Sequence, residues 1–196
     1  MDDKVFFDQL HIRGLFVSIS QSQVDGIDSI LEAFDKFGGL SLGFKAYMLG
    51  TVFHETAGTI QPIEEYGKGK NMAYGKRLKM AKDKDGNHLP YSDTKEIFYG
   101  RGFVQLTWYE NYLKAGKALG VDLLHDANLA LDLTIASEIL IHGMVEGWFT
   151  GKKLKDYIGV KNDFVGARKI INGSDRASLI ASYAQSFLTC LSKATT

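Results

Sequence analysis

Apolar residues recur at helical spacing along most of this chain, and the exceptions fall together. In QSQVDGIDSILEAFDKFGG, Val24, Ile27, Ile30, Leu31 and Phe34 share one face and Gly38-Gly39 offers a stop, so a helix is predicted. Ser41 is placed to cap the next helix, which runs through Phe44 to about residue 54. Further helices are predicted over residues 107 to 119, ended by Gly120, and over residues 133 to 149. Short ones follow near residues 154–158 and 164–171. A last helix covers residues 177–191, with Ser174 or Asp175 as cap and Leu179, Ile180, Tyr183, Phe187, Cys190 and Leu191 on one face. Between Gly58 and Gly100 the periodicity lapses, and turn signals such as Asp85-Gly86-Asn87 appear. A long irregular segment inside a compact domain is usually functional or disordered. The predicted fold class is therefore mostly α, without internal repeats or a linker.

Composition narrows the class. A chain of 196 residues suits one domain, or two lobes sharing a core. It is 45% hydrophobic and 23% charged with zero formal net charge, which argues against a dedicated nucleic-acid binder. No stretch approaches the length of a membrane span, so stable membrane insertion is not expected. The N-terminus, MDDKVFFDQL, starts acidic and lacks the basic and long apolar regions of a signal peptide. Synthesis in a cytoplasm is expected, with any work outside it needing release by another agent. The one cysteine, Cys190, excludes an internal disulfide framework and reads as a small buried apolar residue. Charge is uneven: residues 68 to 84 carry seven Lys or Arg against one Asp.

The candidate chemistry begins at F-H-E-T-A-G, residues 53–58, where a histidine and a glutamate end an apolar run. On a helical wheel with Phe44 at zero, Met48 falls at about 40°, Val52 at about 80° and Glu55 at about 20°. A glutamate in that stripe is partly desolvated, which disfavours its charged form and raises its pKa, as a general acid requires. The other reading has the helix frayed by residue 54 and Glu55 solvated. Leu49 and Phe53 on the opposite face favour burial of the whole helix. The zinc signature H-E-x-x-H needs a second histidine at position 58, which is Gly58, and His11, His88, His125 and His142 lack ligand spacing. No metal or cofactor is implied. Glycosidic hydrolysis needs two carboxyl groups flanking the bond. Glu64 and Glu65, in QPIEEYGKGK, are candidates for the second, or else an ordinary solvated pair.

A second stretch, YGRGFVQLTWYENY, covers residues 99–112. Glycines around Arg101 permit a tight backbone, and Gln105 and Thr107 alternate outward on an extended piece. Asn111 lies one helical turn after Thr107. Amide and hydroxyl groups thus gather as sugar binding requires, although Thr107 also suits a helix cap. Tyr99, Trp108 and Tyr109 add aromatic faces, equally consistent with core packing.

With these motifs in this order, and I-I-N-G at residues 170–173, the chain from about residue 49 to 183 resembles glycoside hydrolase family 19, which holds chitinases and phage endolysins. Residues 1 to 40 take no part in the resemblance. It implies a lysozyme-like fold, two lobes with a substrate groove between them, in one catalytic domain over residues 1–196. It implies an inverting glycosidase that cuts β-1,4 links between amino sugars. Glu55 maps to the general acid. Glu65 maps to the general base: P-I-E-E-Y-G resembles the P-hydrophobic-x-E of phage and bacterial members, whereas plant-type members carry this glutamate in a longer insertion. Thr107 maps to the residue that helps hold the attacking water. Gln105, Asn111 and Asn172 map to sugar-binding positions, and His54, Tyr99 and Arg101 of the same motifs are grouped with them. An inverting pair implies carboxyls about 6.5–9.5 Å apart. The missing signal, missing disulfides and small catalytic-only size suit an endolysin that reaches peptidoglycan in the periplasm after release by a holin-type pore. Segment 68–84 faces the anionic wall, or is a solubilising loop. A chitinase acting on chitin-like polysaccharide is the near alternative, and a catalytically dead carbohydrate-binding or phage structural protein the distant one. A monomer is expected.

Overall fold

The computed structural model describes residues 1–196, the surroundings of Gly75 excepted. The helices run in the order α1 (Asp3–Ile12), α2 (Gln21–Phe37), α3 (Leu42–Glu55), α4 (Tyr109–Leu119), α5 (Leu133–Glu146) and α6 (Ala177–Ala194). α3 is the core helix: every residue from Ala46 to Val52 is buried. α6 packs along it, α1 covers α6, and α2 lies against α5. The caps follow the sequence signals. Ser20 and Gln23 form a reciprocal capping box on α2, and the Ser41 hydroxyl accepts from Phe44 N at 3.2 Å. Cys190 is buried inside α6, and burial pushes its thiol up to about 11.

Several boundaries differ from the sequence reading, each for a local reason. α4 starts at Tyr109 because Trp108 holds a positive φ of 78°, and the Thr107 hydroxyl donates to the Gln105 carbonyl at 2.8 Å instead of capping the helix. α5 stops at Glu146, where Gly147 turns left-handed. α6 is preceded by left-handed Arg176 and has neither Ser174 nor Asp175 as a side-chain cap. The short helices are single 3₁₀ turns, Leu154–Asp156 and Gly166–Ile170. α1, not predicted from the hydrophobic pattern, is capped by Asp2 and buries Phe6 and Leu10.

Part of the basic segment is ordered as a hairpin. Numbered along the chain, β1 (Ile63–Glu64) pairs antiparallel with β4 (Arg101–Gly102), and β2 (Arg77–Lys82) pairs with β3 (His88–Pro90). Asp83 closes the hairpin turn, its Oδ1 accepting from Asp85 N and Asn87 N at 2.9 Å each. Alternation along β2 is too weak to signal a strand, which is why the segment read as irregular.

The loop between α3 and β1 is clamped by α2. Ile60 is fully buried with φ at +50°, a left-handed conformation that a β-branched residue takes only under constraint. Such strain costs on the order of 1–3 kcal/mol and persists where its surroundings over-determine it. Here Ile60 N donates to Thr56 Oγ1 at 3.1 Å, and the Gln23 side chain donates to Gly58 O at 2.8 Å. Gly26 of α2 lets the Ile60 carbonyl come so close that a Cβ would lie 1.9 Å from its oxygen. Gly26→Ala must therefore push α2 off the loop. We expect a stability loss of about 1–3 kcal/mol despite the better helix former. Urea unfolding with an unchanged m-value measures it; an unchanged midpoint would refute the clamp.

Candidate active site

Glu55 is the last residue of α3, and its side chain is 18% exposed, so the helix reaches it and it sits in a cleft. Its partner lies far away in the chain. Arg168, on the 3₁₀ turn Gly166–Ile170, is almost fully buried and donates from Nη1 to Glu55 Oε1 at 2.5 Å. Its Nε donates to the Asp175 carbonyl at 3.1 Å, which fixes the guanidinium plane. A cation between buried Ala167 and Ile170, in VGARKII, was the available signal.

Glu55 opens onto a groove of about 450 Å³ that also takes in Tyr74, Lys79, Gln105, Thr107, Trp108, Asn111 and Asn172. Glu55, Gln105, Thr107, Asn111 and Asn172 were expected at the site, and the fold brings them together. Their polar atoms are partly committed. Gln105 holds a positive φ of 55° and donates its amide to the Ile63 carbonyl at 3.1 Å, so that group ties the groove floor to β1. Thr107 gives its proton to Gln105 O, leaving its oxygen able to accept. Asn111 donates Nδ2 to Thr107 O at 2.8 Å and keeps its carbonyl for another partner. Asn172 is exposed, its Oδ1 accepting from Gly173 N at 2.9 Å.

Glu64, the last residue of β1, and Glu65, just after it, have different partners. Glu64 accepts from Tyr99 Oη at 2.7 Å and pairs with Lys68 at 2.9 Å. The tyrosine hydrogen bond, then the lysine, hold its carboxyl below the usual range, which weakens it as a base. Glu65 accepts from Tyr74 Oη on one oxygen and from Gly100 N at 3.0 Å on the other. Its partner Tyr74 stands in the groove wall, beside Trp108.

Three expected binding residues lie away from the groove lining. Tyr99 is buried with its hydroxyl on Glu64. Arg101 is 3% exposed and stacks 3.6 Å over the Tyr99 ring while donating to Ile97 O, Tyr112 Oη and Asn128 Oδ1. A guanidinium so engaged braces β4, and Arg101 is not among the residues that line the groove. His54 is half-buried near Tyr183, with ring centroids 6.5 Å apart. Among the described residues no group of three His, Cys, Asp or Glu side chains is placed to hold a metal ion.

A mostly helical fold with one carboxylate at the end of α3, opening on a groove, and another just after β1 has counterparts among known proteins. The profile of glycoside hydrolase family 19, described as chitinase class I, matches residues 43–162, and the chain belongs to this family. An endochitinase of Theobroma cacao is 40% identical over 97 residues, covering 46% of this chain and 29% of that protein. One from Arabidopsis thaliana is 34% identical over 79 residues, covering 40% of this chain and 25% of that protein. The chain thus matches less than a third of these plant relatives. Chitinase C from Streptomyces griseus superposes with a TM-score of 0.59 at 21% identity, over 96% of this chain and 76% of that one. A bacterial family 19 chitinase gives 0.58 at 23% identity, over 94% and 93%. These structures share the mostly helical, lysozyme-like fold.

Proposed function

We propose that this protein is an inverting glycoside hydrolase that cuts β-1,4 links between amino sugars, with peptidoglycan as its substrate. The observation that carries the chemistry is one groove holding Glu55 on α3, the accepting oxygen of Thr107, and the Tyr74 hydroxyl that rests on Glu65. Glu55 protonates the leaving oxygen. Glu65 takes the proton of a water that Thr107 helps to hold and that attacks the anomeric carbon from the opposite face. Asn111 and Asn172 bind sugar. Arg168 turns Glu55 toward the groove and balances the carboxylate left after proton transfer.

Groove charge supports an anionic polymer. The Glu55 carboxylate is matched by Arg168, whereas Lys79, half-buried in the groove wall, has no carboxylate partner among the described residues. Chitin is neutral; peptidoglycan carries carboxylates on its peptide groups. On this reading the enzyme is a phage endolysin, made in the host cytoplasm and released to the wall through a partner pore. Chitin is the second reading, favoured by the endochitinase relatives.

Release of reducing ends from purified walls and from chitin oligomers tests the choice. We expect wall cleavage to dominate, and to fall with added salt more steeply than cleavage of the neutral oligomers, because Lys70, Lys76, Arg77 and Lys79 act on the anionic polymer through screened charge. Cleavage of chitin alone would sink the peptidoglycan assignment. Equal salt sensitivity would remove the electrostatic contribution.

A further inference from the structure

We propose that Tyr74 carries the proton of the attacking water to Glu65, so that the base is a tyrosine–glutamate pair. The inference rests on the reading of Glu65 as base and assigns Tyr74 a place in the reaction.

Three observations lead to it. Tyr74 lines the groove together with Glu55 and Thr107, while Glu65 is not among the lining residues. The Tyr74 hydroxyl donates to Glu65 Oε1, and Glu65 Oε2 is taken by the Gly100 N–H at 3.0 Å. The group that a water in the groove meets is therefore the phenol oxygen, with the carboxylate behind it. The tyrosine is also braced: its ring stands edge-on to Trp108, centroids 5.7 Å apart, and Trp108 is itself held at a positive φ of 78°. Burial first, and then the neighbouring carboxylate, push the phenol up to about 12. It keeps its proton at neutral pH and can pass one on only while receiving another.

The step balances. As the water oxygen bonds to the anomeric carbon, one water proton moves to Tyr74 Oη and the tyrosine's own proton moves to Glu65 Oε1. The bond to the leaving oxygen breaks as that oxygen takes the proton of Glu55. Tyr74 ends as it began, a neutral phenol. Glu65 ends protonated and Glu55 ionised against Arg168. Solvent then returns the proton from one carboxyl to the other.

The relay and a mere screen give opposite results in Tyr74→Phe, which keeps the ring against Trp108 and removes only the oxygen. With the relay, kcat falls by about 10²-fold or more, KM stays within about twofold and the thermal midpoint stays put. Joining it to Glu65→Gln then slows the enzyme no further than the slower single variant. If Tyr74 only covers Glu65, the Phe variant matches or exceeds wild type, because the bare carboxylate now meets the water; that overturns the proposal. A double variant slower by the product of the two single effects also overturns it. The dependence of kcat on deuterium fraction separates relay from positioning. The relay bows the wild-type plot, and Tyr74→Phe loses curvature; equal curvature in both leaves Tyr74 as a support only and rejects the relay. Retained activity in Glu65→Gln would instead show that the base itself was misassigned, whatever Tyr74→Phe does.

Discussion

Glu55→Gln is expected to lower glycosidic cleavage by about 10²–10⁴-fold, the usual contribution of a positioned general acid. The amide matches the carboxyl in shape and can still accept from Arg168, but it has no proton to give. Wall lysis and oligomer cleavage fall together, because the loss lies in bond breaking and not in recognition. The variant also pays in stability. Arg168 is 5% exposed and its guanidinium loses the carboxylate it faces in the ionised form of Glu55, while the hydrogen bond at Oε1 survives in neutral form. We expect a loss below about 1.5–3 kcal/mol, the range for a hydrogen bond to a charged group, because the neutral bond remains. Reducing-end release, with the thermal midpoint measured on the same preparation, gives both quantities. A folded variant that keeps wild-type rates would remove Glu55 from the chemistry.

The second large effect separates the neighbouring glutamates. Glu65→Ala is expected to lose most activity, since water is then attacked by no base, and azide is expected to restore part of it. Azide needs no deprotonation and takes the place of the attacking water in the groove. It enters from the face opposite the leaving group, so the product is a glycosyl azide of inverted configuration. Glu64→Ala is expected to stay near wild type. Its carboxylate is occupied by Tyr99 and Lys68 and held in its ionised form, a bracing role at the edge of β1. Product stereochemistry by NMR on both variants decides. A dead Glu64→Ala beside an active Glu65→Ala would exchange their roles, and two active variants would require a base elsewhere in the groove.

The helices were legible because their signals are local. Ser41 and the apolar run behind it define α3 within a residue; the helical wheel left Glu55 open between cleft and frayed end, and the resemblance of its motif singled it out. The second motif gave Thr107 and Asn111 through sequence proximity. What escaped depends on residues far apart in the chain. Arg168 meets Glu55 across 113 residues, and no helical wheel reports that distance. Tyr74 reaches the site by the course of a loop with no periodic pattern. Arg101 was grouped with the binding residues through its motif, and only the packed Tyr99 and Tyr112 rings show the guanidinium turned inward.

The clamp on Ile60 bears on how this domain can be divided. The family profile spans residues 43–162, which includes both candidate carboxylates but leaves out α2 and α6. Yet α2 presses Gly26 against the loop that sets the path from Glu55 to Glu65, and Arg168 lies beyond the matched stretch as well. The recognisable motifs are therefore not a portable cassette. Grafted into another scaffold, they would keep their order and lose their spacing, because the strained turn between them is held by a helix that the motifs do not encode.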